Sequence, residues 1–204
     1  GVDVFVQKDF TSPEVDIEKV LSQLSKKIPH HLFSGLDAIY VGEFDFLKSR
    51  DLDAMFRDGA IFLSNEKISV DDTADDITHE IAHLVEKEKS NLVYGDGQIE
   101  QEFLNKRKEL YFILKEEGYE VSLSQFLNTE YDIQFDQYLY QHVGYPVLSV
   151  LTINLFYSPY GATSLREYFA NCFEGFFWNE DMVRVKDLSP KVYNKLEQLI
   201  DLEE

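Results

Sequence analysis

The chain has 204 residues, 44% hydrophobic and 14% aromatic, which predicts one folded domain with a real core and excludes a disordered segment. A formal net charge of −19 argues against nucleic acid and anionic membrane surfaces as partners, because both are bound through Lys and Arg. Basic or neutral substrates suit that charge, although a solvated acidic face is the simpler account of the excess.

In chain order, Ser12-Pro13-Glu14 reads as an N-cap, a first-turn Pro and an acidic first turn, so a helix is expected from there to about Lys27. Its inward positions would be Val15, Val20, Leu21 and Leu24. Residues 37–44 and 59–64 read as strands, the second following a turn at Asp58-Gly59. Asp71, Asp72, Asp75 and Asp76 suit the first turns of a helix from about Asp72 to Lys87, because carboxylates there meet the positive end of the dipole. Asn91 to Gly97 reads as a loop, and residues 100–117 as a charged amphipathic helix stopped by Gly118. Residues 119–158 are rich in Tyr and Phe with short helical patterns. Ser164 can cap a helix to about Trp178, and Ser189-Pro190 starts a last one with Val192, Leu196 and Ile200 along one side. The expectation is a helix-dominated α+β chain whose small sheet precedes the helix at 72–87. It reads as a single domain over 1–204, with an N-terminal part (1–90) and a helical part (91–204).

Cys172 is the one cysteine, so no intrachain disulfide can form; it lies in an apolar stretch and reads as an inert core thiol. No apolar run approaches the length of a membrane span. The start, Gly1-Val2-Asp3-Val4, lacks the basic region and apolar core of a signal peptide, so a soluble protein is expected. An initial Gly fits a trimmed end, which leaves a removed targeting segment open. Compartment and oligomeric state are not legible.

Within the helix at 72–87 stands His79-Glu80-Ile81-Ala82-His83, an H-E-x-x-H motif. Helical residues four apart share a face, so both imidazoles can reach one metal ion. Zinc accepts His nitrogens, and a catalytic zinc needs three protein ligands with a position left for water. Glu80 is the expected general base. The flanking Ile77, Ile81, Leu84 and Val85 give the helix a buried side, unlike a surface helix with scattered His. The metzincin extension is excluded: it needs Gly and His where this chain has Glu86 and Lys89. His30, His31 and His142 sit on no obvious facing helix.

Glu167 is the expected third ligand. It lies early on an amphipathic helix beside Tyr168, Phe169 and Phe173, where a carboxylate has little structural reason to be, although a helix N-terminus also favours an acid. Glu174, seven residues on, is the alternative.

The segment Tyr160-Gly161-Ala162-Thr163-Ser164-Leu165-Arg166-Glu167-Tyr168-Phe169-Ala170 resembles the second motif of the zincin metallopeptidases typified by the anthrax lethal factor catalytic domain and the related Pro-Pro endopeptidases. Together with the H-E-x-x-H run, the likeness covers about residues 59–118 and 158–178. It implies a zincin-like metallopeptidase fold, Zn2+ held by His79, His83 and Glu167, water activation by Glu80, and oxyanion stabilisation by Tyr160, with Tyr157 as a possible substitute. The chain departs from that pattern in two places. Residues 119–158 look like an insertion, whose rings either build a lid, cleft wall or partner surface or fill a local core. Asn171, one turn beyond Glu167, stands where the family tends to carry an acid able to orient a zinc-bound His.

The resulting expectation is a gluzincin-type zinc endopeptidase acting on peptide or protein substrates, with strand 59–64 as an edge strand that aligns the peptide. The rivals are a zincin-like binding or structural protein with little turnover, and a zinc hydrolase of non-peptide amides.

Overall fold

The computed structural model describes residues 2–202, an α+β chain that divides into two compact units. The first comprises residues 2–89, 177–180 and 199–202 of those described; the second comprises 90–176 and 181–198.

The first unit is built on a four-stranded sheet of β1 (Asp3–Val6), β2 (Ala38–Gly42), β3 (Ala54–Arg57) and β4 (Ala60–Ser64). Their order is β1-β2-β4-β3; β1, β2 and β4 are parallel, and β3 is antiparallel to β4. The β3–β4 hairpin turns at Asp58 and Gly59, both at positive φ (51° and 85°), which is the two-residue turn whose twist matches that of the strands. One face of the sheet carries Ile39, Val41, Ile61 and Leu63, all fully buried. The other carries the in-register row Phe5, Tyr40 and Phe62, stacked ring on ring. Two helices, α1 (Ile17–Lys27) and α3 (Val70–Glu88), pack on each other, and α3 also packs on β3 and β4; the short α2 (Asp45–Lys48) lies between β2 and β3 in the chain.

Several expectations change here. Strand 59–64 is not an edge: β4 lies between β2 and β3, and β3, which the sequence did not suggest, takes the edge. The first helix starts at Ile17, because the Asp16 carboxylate accepts from the N–H groups of Glu18 and Lys19; Ser12-Pro13 lies outside it, and Leu21 is only half-buried. The motif helix starts two residues early at Val70, because the Ser69 hydroxyl accepts from Asp72 N–H at 3.0 Å.

The second unit is helical: α4 (Ser90–Tyr94), α5 (Gln98–Glu116), α6 (Leu123–Phe126), α7 (Ile133–Gln137), α8 (Tyr145–Leu151), α9 (Leu165–Phe173), α10 (Met182–Leu188) and α11 (Pro190–Ile200). The expected loop Asn91–Gly97 therefore holds a helical turn, α4. Helix α5 ends as expected at Gly118, at φ 88°, and the next N–H, of Tyr119, closes on Leu114 O at 2.9 Å. Beyond α9 the chain continues as a π-helical turn, Glu174–Trp178. In α11, Val192, Leu196 and Leu199 are buried while Ile200 is exposed. The aromatic segment sorts by residue type: Phe126, Phe135 and Phe156 are buried, whereas Tyr131 and Tyr140 stand exposed. Its phenylalanines fill a local core, Tyr138 and Tyr145 are half-buried, and Tyr131 and Tyr140 stay at the surface. Among the described residues no helix is long and apolar enough to cross a membrane.

Candidate metal centre

The histidine pair is a product of helix geometry. His79 and His83 project from one face of α3 with their Nε2 atoms 3.1 Å apart. Two nitrogens bound tetrahedrally to one zinc at about 2.0–2.1 Å lie roughly 3.3 Å apart, so the spacing suits a shared ion. His83 is buried, and its other ring nitrogen, Nδ1, lies 3.2 Å from Glu86 Oε2. A carboxylate there favours a proton on Nδ1, which turns the Nε2 lone pair toward His79. In the sequence, Glu86 marks a departure from the metzincin pattern. Its place three residues beyond His83, on the same helical face, is the signal that marks it as the histidine's support.

Glu80 is also buried, and its Oε2 accepts from the backbone N–H of Phe56 at 2.6 Å. That N–H points away from β4. The Ser64 N–H to Asp53 O bond turns the groups of residue 53 toward β4, and alternation along the strand turns those of Ala54 and Phe56 outward. The candidate base is thus fastened to the outer edge of the sheet.

Just before the histidines, α3 carries a charged knot. The Lys67 ammonium, almost fully buried, lies 2.5 Å from Asp76 and 3.3 Å from Asp53. Burial pushes the Asp76 carboxyl up, to about 6, against the pull of Lys67. A polar pocket lined by Asp53, Glu66, Asp72 and Asp75 surrounds this knot. Lys67 already supplies its countercharge, so the pocket is a structural feature of the helix start.

Glu167 and Tyr160 are placed by an irregular turn. Residues Pro159–Ala162 form a 3-10 turn in which Tyr160 O accepts from Thr163 N at 3.0 Å and from the Thr163 hydroxyl at 2.7 Å. Ser164 then caps α9, its hydroxyl accepting from Glu167 N–H at 3.3 Å. Asn171 is buried, and its Oδ1 accepts from the Ser158 hydroxyl. A Cβ on Gly161 would meet Asn171 Oδ1 at 3.3 Å, so the turn lies close against α9. Asn171 therefore ties the Tyr160 turn to α9 through Ser158.

Burial, then the negative charges of Glu167 and Asp136, push the Tyr160 phenol above its ordinary value, which keeps it a neutral O–H donor. Tyr157, the substitute considered for it, packs its ring against Gly175 and beside the Arg184 guanidinium. Tyr131 donates to Asp136 Oδ2 at 2.7 Å, so Asp136 is tied into the same aromatic segment.

Among the described residues, His79, His83 and Glu167 form a group that could hold a metal ion: one ligand atom from each lies within 4.8 Å of the others. Glu174 is not in that group. Two imidazoles and a carboxylate suit a transition metal better than calcium or magnesium, which take oxygen ligands. No protein-family model matches the chain, and no curated protein or solved structure matches it.

Proposed function

We propose that the chain is a zinc-dependent endopeptidase of the gluzincin type. The observation that carries the reading is the convergence of His79, His83 and Glu167, with Glu80 between the two histidines on the same helix. A zinc ion held by these three residues would supply an acidified water and a Lewis acid for the scissile carbonyl.

The remaining chemistry belongs to the chain. Glu80 accepts the proton of the attacking water and returns it to the leaving amine. Glu86 keeps His83 in the tautomer that presents Nε2. Tyr160, held neutral, donates to the oxygen that becomes negative as the carbonyl is attacked. An extended peptide would pair with β3, the edge strand whose outward groups lie beside Glu80.

The test has two readouts. Protein expressed with zinc should carry one equivalent per chain by elemental analysis. Glu167→Ala should lose it, while Glu174→Ala keeps it. The zinc-loaded protein should cleave members of a peptide library, and the profile defines specificity. A chain that takes up no transition metal would end this reading. A loaded chain that cleaves no peptide would leave a binding protein or a hydrolase of other amides.

A further inference from the structure

We propose that Arg107 is a positioning residue that fixes the Tyr160 turn and the start of the Glu167 helix. The inference rests on the peptidase reading above for its kinetic part and on geometry within the second unit for the rest.

Arg107 stands in the apolar stripe of α5, between Phe103 and Leu110 on the face that also buries Ile99 and Leu114. It is 1% exposed. A guanidinium there loses its hydration, and burial lowers it to about 9, still charged at neutral pH. Among the described residues its hydrogen-bond acceptors are backbone carbonyls, not carboxylates. Nη1 donates to Ala162 O at 2.7 Å and Thr163 O at 3.3 Å, and Nη2 donates to Gln125 O at 2.5 Å. The Phe135 ring lies 4.1 Å from the guanidinium carbon, with Phe103 and Phe126 further out.

Burying a cation costs several kcal/mol unless its partners are well placed, and an apolar residue would fill this stripe more simply. The location of the partners is therefore informative. Ala162 and Thr163 are the residues that join Tyr160 to the N-cap of α9, so the guanidinium grips the seven-residue interval between the proposed oxyanion donor and the proposed third ligand. Its other arm grips the end of α6, in the aromatic segment. The planar fork carries its donors on separate nitrogens with fixed directions, whereas an ammonium gathers its acceptors around a single point. The neighbouring Lys106 provides an internal comparison: its ammonium also donates to two carbonyls, Leu155 O and Leu188 O, but touches neither Tyr160's turn nor α9's cap.

The test uses the zinc-loaded full chain with Arg107→Lys and Arg107→Gln, and with Lys106→Met as comparison. Amide hydrogen exchange over residues 158–166 should rise in both Arg107 variants and stay unchanged in Lys106→Met. With a cleavable peptide, Arg107→Lys should lower kcat by roughly 10- to 100-fold, with KM and zinc content retained, since small misplacements of a reacting group are that expensive. Combined with Tyr160→Phe, it should add little, because both changes remove the same donor from its place. Phe135→Leu, which keeps Arg107 but removes the ring beneath it, should shift exchange in the same direction by less, and it serves where the Arg107 variants fail to fold. Unchanged exchange over 158–166, or a wild-type kcat in folded Arg107→Lys, overturns the proposal; so does a fully multiplicative double variant. Absence of any peptidase activity in the wild-type protein strikes the function proposed above, and the exchange measurement then decides the clamp alone.

Discussion

The two sources of the candidate site are built by opposite means. The residues of α3 are placed by a regular helix with an ordinary Ser69 cap, and the i, i+4 spacing alone aims His79 and His83 together. Tyr160 and Glu167 are placed by a 3-10 turn, a cap, an Asn171 tether and a buried guanidinium, none of which is periodic. Chemistry that needs two groups on one helix face comes directly from helix geometry. Chemistry that needs a phenol and a carboxylate seven residues apart requires a turn to be held in place by its surroundings.

The largest way to break this comparison is Glu80→Gln. Glutamine keeps an oxygen for the Phe56 N–H and leaves both histidines alone, so zinc content should be unchanged. Loss of the base should lower kcat by about 10²–10⁴-fold or more. A Gln variant with near wild-type turnover would remove Glu80 from the mechanism.

Tyr160→Phe probes the irregular side at comparable size. It should lower kcat by about 10²–10³-fold, with zinc content and KM little changed. If Tyr157→Phe is the impaired variant instead, the turn presents a different phenol from the one assigned here.

Glu86→Gln sharpens the comparison on the regular side. The amide can still accept from Nδ1–H but carries no charge, so zinc affinity should fall by about 10–100-fold in competition with a chelator. Unchanged affinity would mean that helix geometry alone orients His83.

The last test concerns the start of α3 and reads stability, not catalysis. The folded-state carboxyl of Asp76 lies at about 6, above its ordinary 3.8, so the folded protein holds this proton more tightly than the unfolded chain does. The group therefore penalises folding progressively as pH rises between those values, and the full penalty persists above them. Relative to Asp76→Asn, the wild-type protein should lose stability across that window, by up to about 3 kcal/mol, measured by denaturant unfolding at several pH values. A difference that does not vary with pH would show that Lys67 fully compensates the buried carboxylate.

Much of this molecule was legible in the sequence where one element specifies the outcome. The period of 3.6 put His79, Glu80 and His83 on a helix with a buried side, and Gly118 ended α5 where a left-handed residue is needed. The Asp58-Gly59 dipeptide marked a turn, though not the strand before it. Ser164 capped α9 as its hydroxyl predicts. Elsewhere local signals competed, and the sequence alone could not rank them. Ser12-Pro13-Glu14 reads as a helix start, but the chain uses Asp16, whose carboxylate reaches the N–H groups of Glu18 and Lys19.

Strand order was decided only by tertiary structure. A run such as Ala60–Ser64 reads the same at an edge or in the middle of a sheet, because what differs is the neighbour that takes its backbone groups; pairing with both β2 and β3 made it internal. The same holds for Arg107. In the sequence it stands in the charged run Lys106-Arg107-Lys108-Glu109 of the amphipathic helix, where nothing singles it out, and in the folded chain its register with Phe103, Leu110 and Leu114 puts it on the buried stripe. Periodicity says which face a residue occupies. Whether a cation on the buried face is tolerated depends on the carbonyls of Ala162, Thr163 and Gln125, and only the folded chain brings those to one point.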